Sequence, residues 1–144
     1  MVYIKKPKDF HHNFEIVSCF IEYDRHILLL QRWPHKSQGN KWGNPAGKVE
    51  KNEDLTSAMI REIKEETGLN NSSDELNFLN TTFIEYPDVK FVYHLFKLIL
   101  NTKPEININP YEHQEFKWVK PEEALKMNLV LEQDYYVSMY INNY

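Results

Sequence analysis

Ile, Val, Phe and Leu crowd two runs near the start of the chain, Phe14 to Tyr23 and His26 to Gln31, and polar Asp24-Arg25 breaks between them. Such runs bounded by a polar dipeptide predict two strands joined by a tight turn. From Arg32 to Gly47 neither the period of a strand nor that of a helix survives. Pro34, Pro45, Gly39, Gly43, Gly47, Trp33 and Trp42 fall here, which predicts a long functional loop. Asn52 is the expected N-cap of a helix over 53–67, with Glu53 and Asp54 in its first turn and Gly68 as its left-handed stop. Two further strands are expected over 76–86 and 89–100, parted by Pro87-Asp88, and a loop over 104–110. A short strand at 116–119, a helix opened by Pro121 and running to Lys126, and an aromatic-rich helix over 131–140 complete the pattern. Strands mixed with a few helices, several joined by short turns, predict an α/β (α+β) sandwich rather than a doubly wound sheet.

The helix over 53–67 carries the chemistry. Glu62, Glu65 and Glu66 stand at i, i+3 and i+4, so they share one face. An acidic helix is ordinarily a solvated one. Here Leu55, Met59 and Ile63 mark the buried stripe, and Glu62 and Glu66 lie roughly 60–100° from its members at about 100° per residue. They are expected to border the core, where charge is costly unless paired or bound to a cation. Arg61, four residues before Glu65, is expected to hold that carboxylate through two hydrogen bonds. Hard oxygen ligands in this number suit magnesium or manganese.

Composition narrows the alternatives. The 144 residues suit one domain, 1–144, and the net charge of −4, from 21 acidic against 17 basic residues, comes with no Lys/Arg block, so duplex nucleic acid is not an expected partner. Cys19 is the only cysteine, which rules out an internal disulfide. With no apolar leader after Lys5-Lys6 and no long apolar run, the expected location is cytoplasmic, with no membrane partner.

Gly47, Glu53, Arg61-Glu62-Ile63, Glu65-Glu66 and Gly68-Leu69 fall at the full spacing of the Nudix box, which the chain therefore resembles. Leu28 to Arg32, Trp42 to Gly47 and Trp118 to Leu125 extend the likeness over most of the chain. The resemblance implies a Nudix-type α/β/α sandwich with a mixed central sheet, and hydrolysis of a nucleoside diphosphate linked to another moiety, X, with Mg²⁺ or Mn²⁺ as cofactor. It implies Glu62, Glu65 and Glu66 as metal ligands, with the Gly47 carbonyl a further candidate, and Glu53 as support through Arg61. The general base is Glu62 as first choice, with Glu112 and Glu115 as alternatives that suit a further metal equally. Arg32 and Lys48 are the nearest cations for substrate phosphates, and Trp42, Phe83, Tyr86 and Phe91 offer stacking surfaces for a base. The six histidines form no ligand-like cluster and read as surface or core residues.

A departure lies at Pro45-Ala46-Gly47, where many relatives carry Pro-Gly-Gly; Pro-Ala-Gly occurs among hydrolases of ADP-ribose and related sugar nucleotides. The leading expectation is hydrolysis of a nucleoside triphosphate, modified ones included, to monophosphate and pyrophosphate. Hydrolysis of ADP-ribose or another nucleotide sugar is the runner-up, followed by an mRNA 5′ pyrophosphohydrolase, for which no basic track stands out. A non-catalytic nucleotide-sensing module is the alternative of another class, disfavoured because no box glutamate is missing. The aromatic stretch 135–144 suits either a homodimer interface or an internal core helix.

Overall fold

The structure, a computed structural model, describes residues 1–144. Its strands are β1 (Val2–Tyr3), β2 (Phe14–Tyr23), β3 (His26–Arg32), β4 (Trp42–Gly43), β5 (Ala46–Lys48), β6 (Asn77–Glu85), β7 (Lys90–Leu100) and β8 (His113–Val119). The helices are α1 (Leu55–Thr67), α2 (Pro121–Ala124) and α3 (Gln133–Asn143), and a single 3₁₀ turn spans Ser73–Glu75.

All eight strands belong to one mixed sheet. β2 and β7 run parallel from Phe14↔Phe91 to Tyr23↔Leu100, while β6 and β7 are antiparallel. The expected hairpin of β2 and β3 exists only at its turn. Asp24 and Arg25 both have positive φ, 47° and 62°, as a two-residue turn of the type that matches strand twist requires. Pairing then stops after Glu22↔Ile27, and the two arms part. Into the gap come β5, which pairs with β2 over Ile16–Ser18, and β4, which pairs with β3 at Leu30 and Gln31. The stretch read as one long loop therefore contributes two short strands, each paired inside the split.

Side chains alternate across this sheet, and each face has its own core. Val17, Cys19, Ile21, Leu28 and Leu30 meet Ala58, Met59 and Ile63 of α1 on one side. Phe20, Ile27, Leu29 and Leu95 meet Tyr136, Val137 and Tyr140 of α3, with Ala124 of α2, on the other. Each fully buried Ile, Leu or Met stabilises by about 1.5–3 kcal/mol, enough to fix both helices on the sheet. The result is the expected α/β/α sandwich. The C-terminal aromatics thus pack inside the chain, with Phe20 stacked on Tyr140 at 4.2 Å.

Several boundaries shift. α1 begins at Leu55 because Asp54, not Asn52, is the N-cap; its carboxylate accepts from Ser57 N at 2.8 Å, and Asn52 occupies a left-handed turn at φ 63°. Gly68 closes the helix at φ 78°, as expected. β8 starts at His113 rather than 116, α2 stops at Ala124 and α3 covers 133–143. β1, which pairs with β6, carried too few residues to be legible. No helix is long and apolar enough to cross a membrane.

Candidate active site

Arg61 organises the charged end of the site. Its guanidinium grips both oxygens of Glu53, at 2.8 and 2.9 Å, gives a third hydrogen bond to Glu62 at 2.8 Å and a fourth to the Lys48 carbonyl at 2.9 Å. Glu65, the expected two-bond partner, lies 3.5 Å away with its side chain 54% exposed. The correction has a geometric reason. Glu53 precedes the helix and can meet the guanidinium in its plane, whereas Glu65 reaches it only along the helix surface. Held by this fork and by the Glu50 N–H, Glu53 has a pKa lowered to about 2.

Glu62 and Glu66 are pushed the other way. Glu62 is 8% exposed, and burial raises its pKa against the opposing hydrogen bond from Arg61. Its carboxylate lies against Gly47, where an added Cβ would stand 2.0 Å from Glu62 Cδ. Only glycine leaves room for that carboxylate. Glu66 accepts from the Ala46 N–H at 3.1 Å, and burial, then the charge of Glu62, hold its pKa well above the ordinary value. Glu112 adds to that shift and Arg32 opposes it, so both lie within electrostatic reach. As expected, Glu62 and Glu66 border the core; Glu65, expected to share their face, has its side chain 54% exposed.

Of these carboxylates Glu66 lines a cleft of about 460 Å³ opened by the split between β2 and β3, and Gly47, against which Glu62 packs, lines it too. Glu66 comes from α1 on one side of the sheet, yet it shares the cleft with Phe14 and Ile16, which point to the α3 side. Arg32, Lys48 and His113 line the same cleft, and the Arg32 charge reaches Glu66. Arg32 donates to the Ser37 carbonyl at 2.6 Å and to Ser37 Oγ at 3.3 Å, and pairs with no carboxylate. Lys48 lies 4.4 Å above the Phe14 ring, which stacks on Phe91 at 5.1 Å.

The cleft is also lined by side chains that carried no sequence signal. Gln133, the first residue of α3, accepts from the Asn44 N–H at 3.2 Å and donates to Asn44 Oδ1 at 3.0 Å, and Asn44 Nδ2 donates to Ser18 Oγ at 3.3 Å. A backbone N–H can only donate, so the orientation of both amides is fixed. Tyr93 stands beside them, stacked on Tyr136 at 4.2 Å. His113 is the other unforeseen member, buried at 5% exposure, its pKa lowered to about 4 by burial and then by the Arg32 charge.

Four expected site residues, Trp42, Phe83, Tyr86 and Glu115, lie outside the cleft. Trp42 is 6% exposed in the α3-side core under Lys117, so its ring packs the fold and its backbone ties β4 to Asn128 and Val130. Phe83 packs edge-on against Phe10, and Tyr86 donates to Glu132; neither lines the cleft. Glu115 is exposed on β8 outside the cleft, while Glu112 pairs with Lys36 at 3.8 Å near its rim.

The donors suit a hard divalent cation: Glu62 and Glu66 are carboxylates whose ionised forms are disfavoured by burial and mutual repulsion, and a bound cation relieves both. As they stand, Arg61 and the Ala46 N–H hold them, and no three acidic or histidine side chains close a coordination shell.

The chain belongs to the Nudix family: the NUDIX domain profile matches residues 13–139. It is 31% identical over 117 residues to the CTP pyrophosphohydrolase of Escherichia coli, covering 80% of this chain and 82% of that one. It is also 41% identical over 66 residues to the ADP-ribose pyrophosphatase of Methanocaldococcus jannaschii, covering 46% of this chain and 38% of the relative. Among solved structures, the MutT protein of Methanosarcina mazei Go1 superposes with a TM-score of 0.76 at 25% identity, over 89% of this chain and 92% of that one. The chain is a Nudix pyrophosphohydrolase, of a family that works with divalent metals.

Proposed function

We propose that this pyrophosphohydrolase cleaves a nucleoside triphosphate to the monophosphate and pyrophosphate, with Mg²⁺ or Mn²⁺ bound by Glu62, Glu66 and the Gly47 carbonyl, and by Glu65 once its exposed side chain turns toward them. The observation that carries the reading is a single cleft lined both by charged groups, Arg32, Lys48 and Glu66, and by an aromatic and amide surface, with Lys48 over the Phe14 ring. Phosphates and a flat, hydrogen-bonding base need those two environments side by side. A cation held there supplies charge neutralisation over the phosphates and a more acidic water. Arg32 and Lys48 take the phosphate charge that remains, and Phe14, Phe91 and Tyr93 line the place for the base. Arg61 orients Glu62 so that one oxygen is fixed and the other stays free to ligate or to accept a proton. Glu62 is the first candidate for general base; Glu112, whose charge reaches Glu66, is the alternative, and the exposed position of Glu115 makes it the weaker one.

The similarity to a CTP pyrophosphohydrolase over four-fifths of both chains favours a nucleoside triphosphate. The second reading, hydrolysis of ADP-ribose, rests on the Pro45-Ala46-Gly47 entry and the shorter match to an ADP-ribose pyrophosphatase. A product-resolved screen with magnesium and manganese separates them. Release of pyrophosphate from one or more nucleoside triphosphates supports the first. Two phosphomonoesters from ADP-ribose, with triphosphates untouched, overturn it in favour of the second.

A further inference from the structure

His113 opposes Arg32 across the β3–β8 pair, where the register shifts between Gln31 and Arg32 and turns both side chains toward the cleft. Its Nδ1 is buried and has no hydrogen-bond partner. A buried donor without an acceptor is the costlier state, so Nδ1 takes the bare form and the ring proton sits on Nε2, which has no partner within the chain. A neutral imidazole therefore offers one free N–H beside a guanidinium that no carboxylate neutralises. Both line the cleft that contains Glu66.

We propose that His113 and Arg32 form an oxyanion subsite that binds the terminal phosphates of the substrate, the part that leaves as pyrophosphate, independently of the carboxylates of α1. The cost of an orphaned Nδ1 is then retained because the ring must point its other nitrogen at a ligand. A packing role predicts a partnered ring; a binding role tolerates this one. The proposal rests on the triphosphate reading for the identity of the leaving group, but its test does not require turnover.

The probe is inorganic pyrophosphate, titrated calorimetrically into the full chain in metal-free buffer containing a chelator, so that the α1 carboxylates cannot bind it through a cation. His113→Phe, which keeps a flat ring and removes both nitrogens, is expected to weaken pyrophosphate binding by about 10- to 100-fold, the usual effect of losing one hydrogen bond to a charged acceptor. His113→Gln restores a donor and is expected to recover most of that loss. The melting temperature of His113→Phe should equal or exceed that of the wild type, because an unpaired buried polar atom has been removed. A lowered melting temperature with pyrophosphate affinity within about twofold of wild type assigns His113 to packing and overturns the proposal, as does a wild-type protein that binds no pyrophosphate. If pyrophosphate binding depends on His113 but no triphosphate is hydrolysed, the subsite stands and the triphosphate reading falls. If triphosphates are hydrolysed and the variant matches wild type in both binding and KM, the reverse holds.

Discussion

The two ends of the cleft are built by opposite means. The acidic network behind the charged end is local: Glu53, Arg61, Glu62 and Glu66 come from one segment, Glu66 alone of them lines the cleft, and a single guanidinium joins three polar partners within that segment. The amide end is assembled from afar, with Ser18 on β2, Asn44 between β4 and β5, and Gln133 at the start of α3. The first end carries strained electrostatics, with buried carboxylates raised in pKa, whereas the second is a neutral network in which every named hydrogen bond is satisfied. A site for chemistry stores unfavourable charge; a site for recognition stores geometry.

The largest effect is expected at Glu66. Replacing it by Gln should lower metal-dependent turnover by about 10³-fold, the scale of losing a group that acts on transition-state charge, with the fold intact by circular dichroism. The stability of metal-free protein should move oppositely. A raised folded-state pKa means that the native state holds its proton more tightly than the unfolded chain, so stability is greatest below the unfolded pKa and is lost as pH rises through the folded one. Metal-free Glu66→Gln should therefore melt higher than wild type at alkaline pH. Near-normal turnover would remove Glu66 from the chemistry.

Gly47→Ala should separate activity from stability more sharply still. The new Cβ meets only the end of the Glu62 side chain and no backbone, so the fold should lose no more than the Arg61–Glu62 hydrogen bond, about 1.5–3 kcal/mol, while turnover falls by about 10²-fold. A variant with wild-type kinetics would show that the carboxylate position beside Gly47 is not used.

At the amide end, Gln133→Leu should cost about 2–4 kcal/mol of stability, because the Asn44 N–H and Oδ1 both lose their partner in a buried place. If this end reads the base, KM should rise about tenfold with kcat nearly constant, since binding that is uniform between ground and transition states is what is removed. A fall in kcat at unchanged KM would instead tie this end to the chemistry.

This contrast also explains what the sequence made legible. A helix turns its period directly into a face, so Glu62 and Glu66 bordering the core could be read from the spacing of Leu55, Met59 and Ile63. The long strands β2, β3, β6 and β7 were equally readable from their apolar runs, whereas the short β1, β4 and β5 were not. The splitting of β2 from β3 was not, because an apolar run does not say which neighbour each half of a strand will choose. Asn44, Gln133 and His113 gained meaning only from that split. Trp42 failed for the complementary reason: an aromatic in a Gly/Pro-rich loop looks available for stacking, but its backbone pairing as β4 buries the ring in the α3-side core.

The finest test concerns the fork between Arg61 and Glu53. Glu53 has a lowered folded-state pKa of about 2, so its contribution to stability is present above the ordinary carboxylate range and is lost as pH falls toward about 2. Stability curves for wild type and Glu53→Gln should accordingly differ at neutral pH and converge on acidification through that window. The same substitution leaves Arg61 its bonds to Glu62 and the Lys48 carbonyl, so turnover should drop only a few-fold, far less than for Glu66→Gln. If the two curves run parallel from neutrality to about pH 2, the fork does not hold Glu53 ionised. If turnover falls as far as it does for Glu66→Gln, Glu53 belongs with the reacting carboxylates, and the line drawn between the residues that position Glu62 and those that act on the phosphates must move.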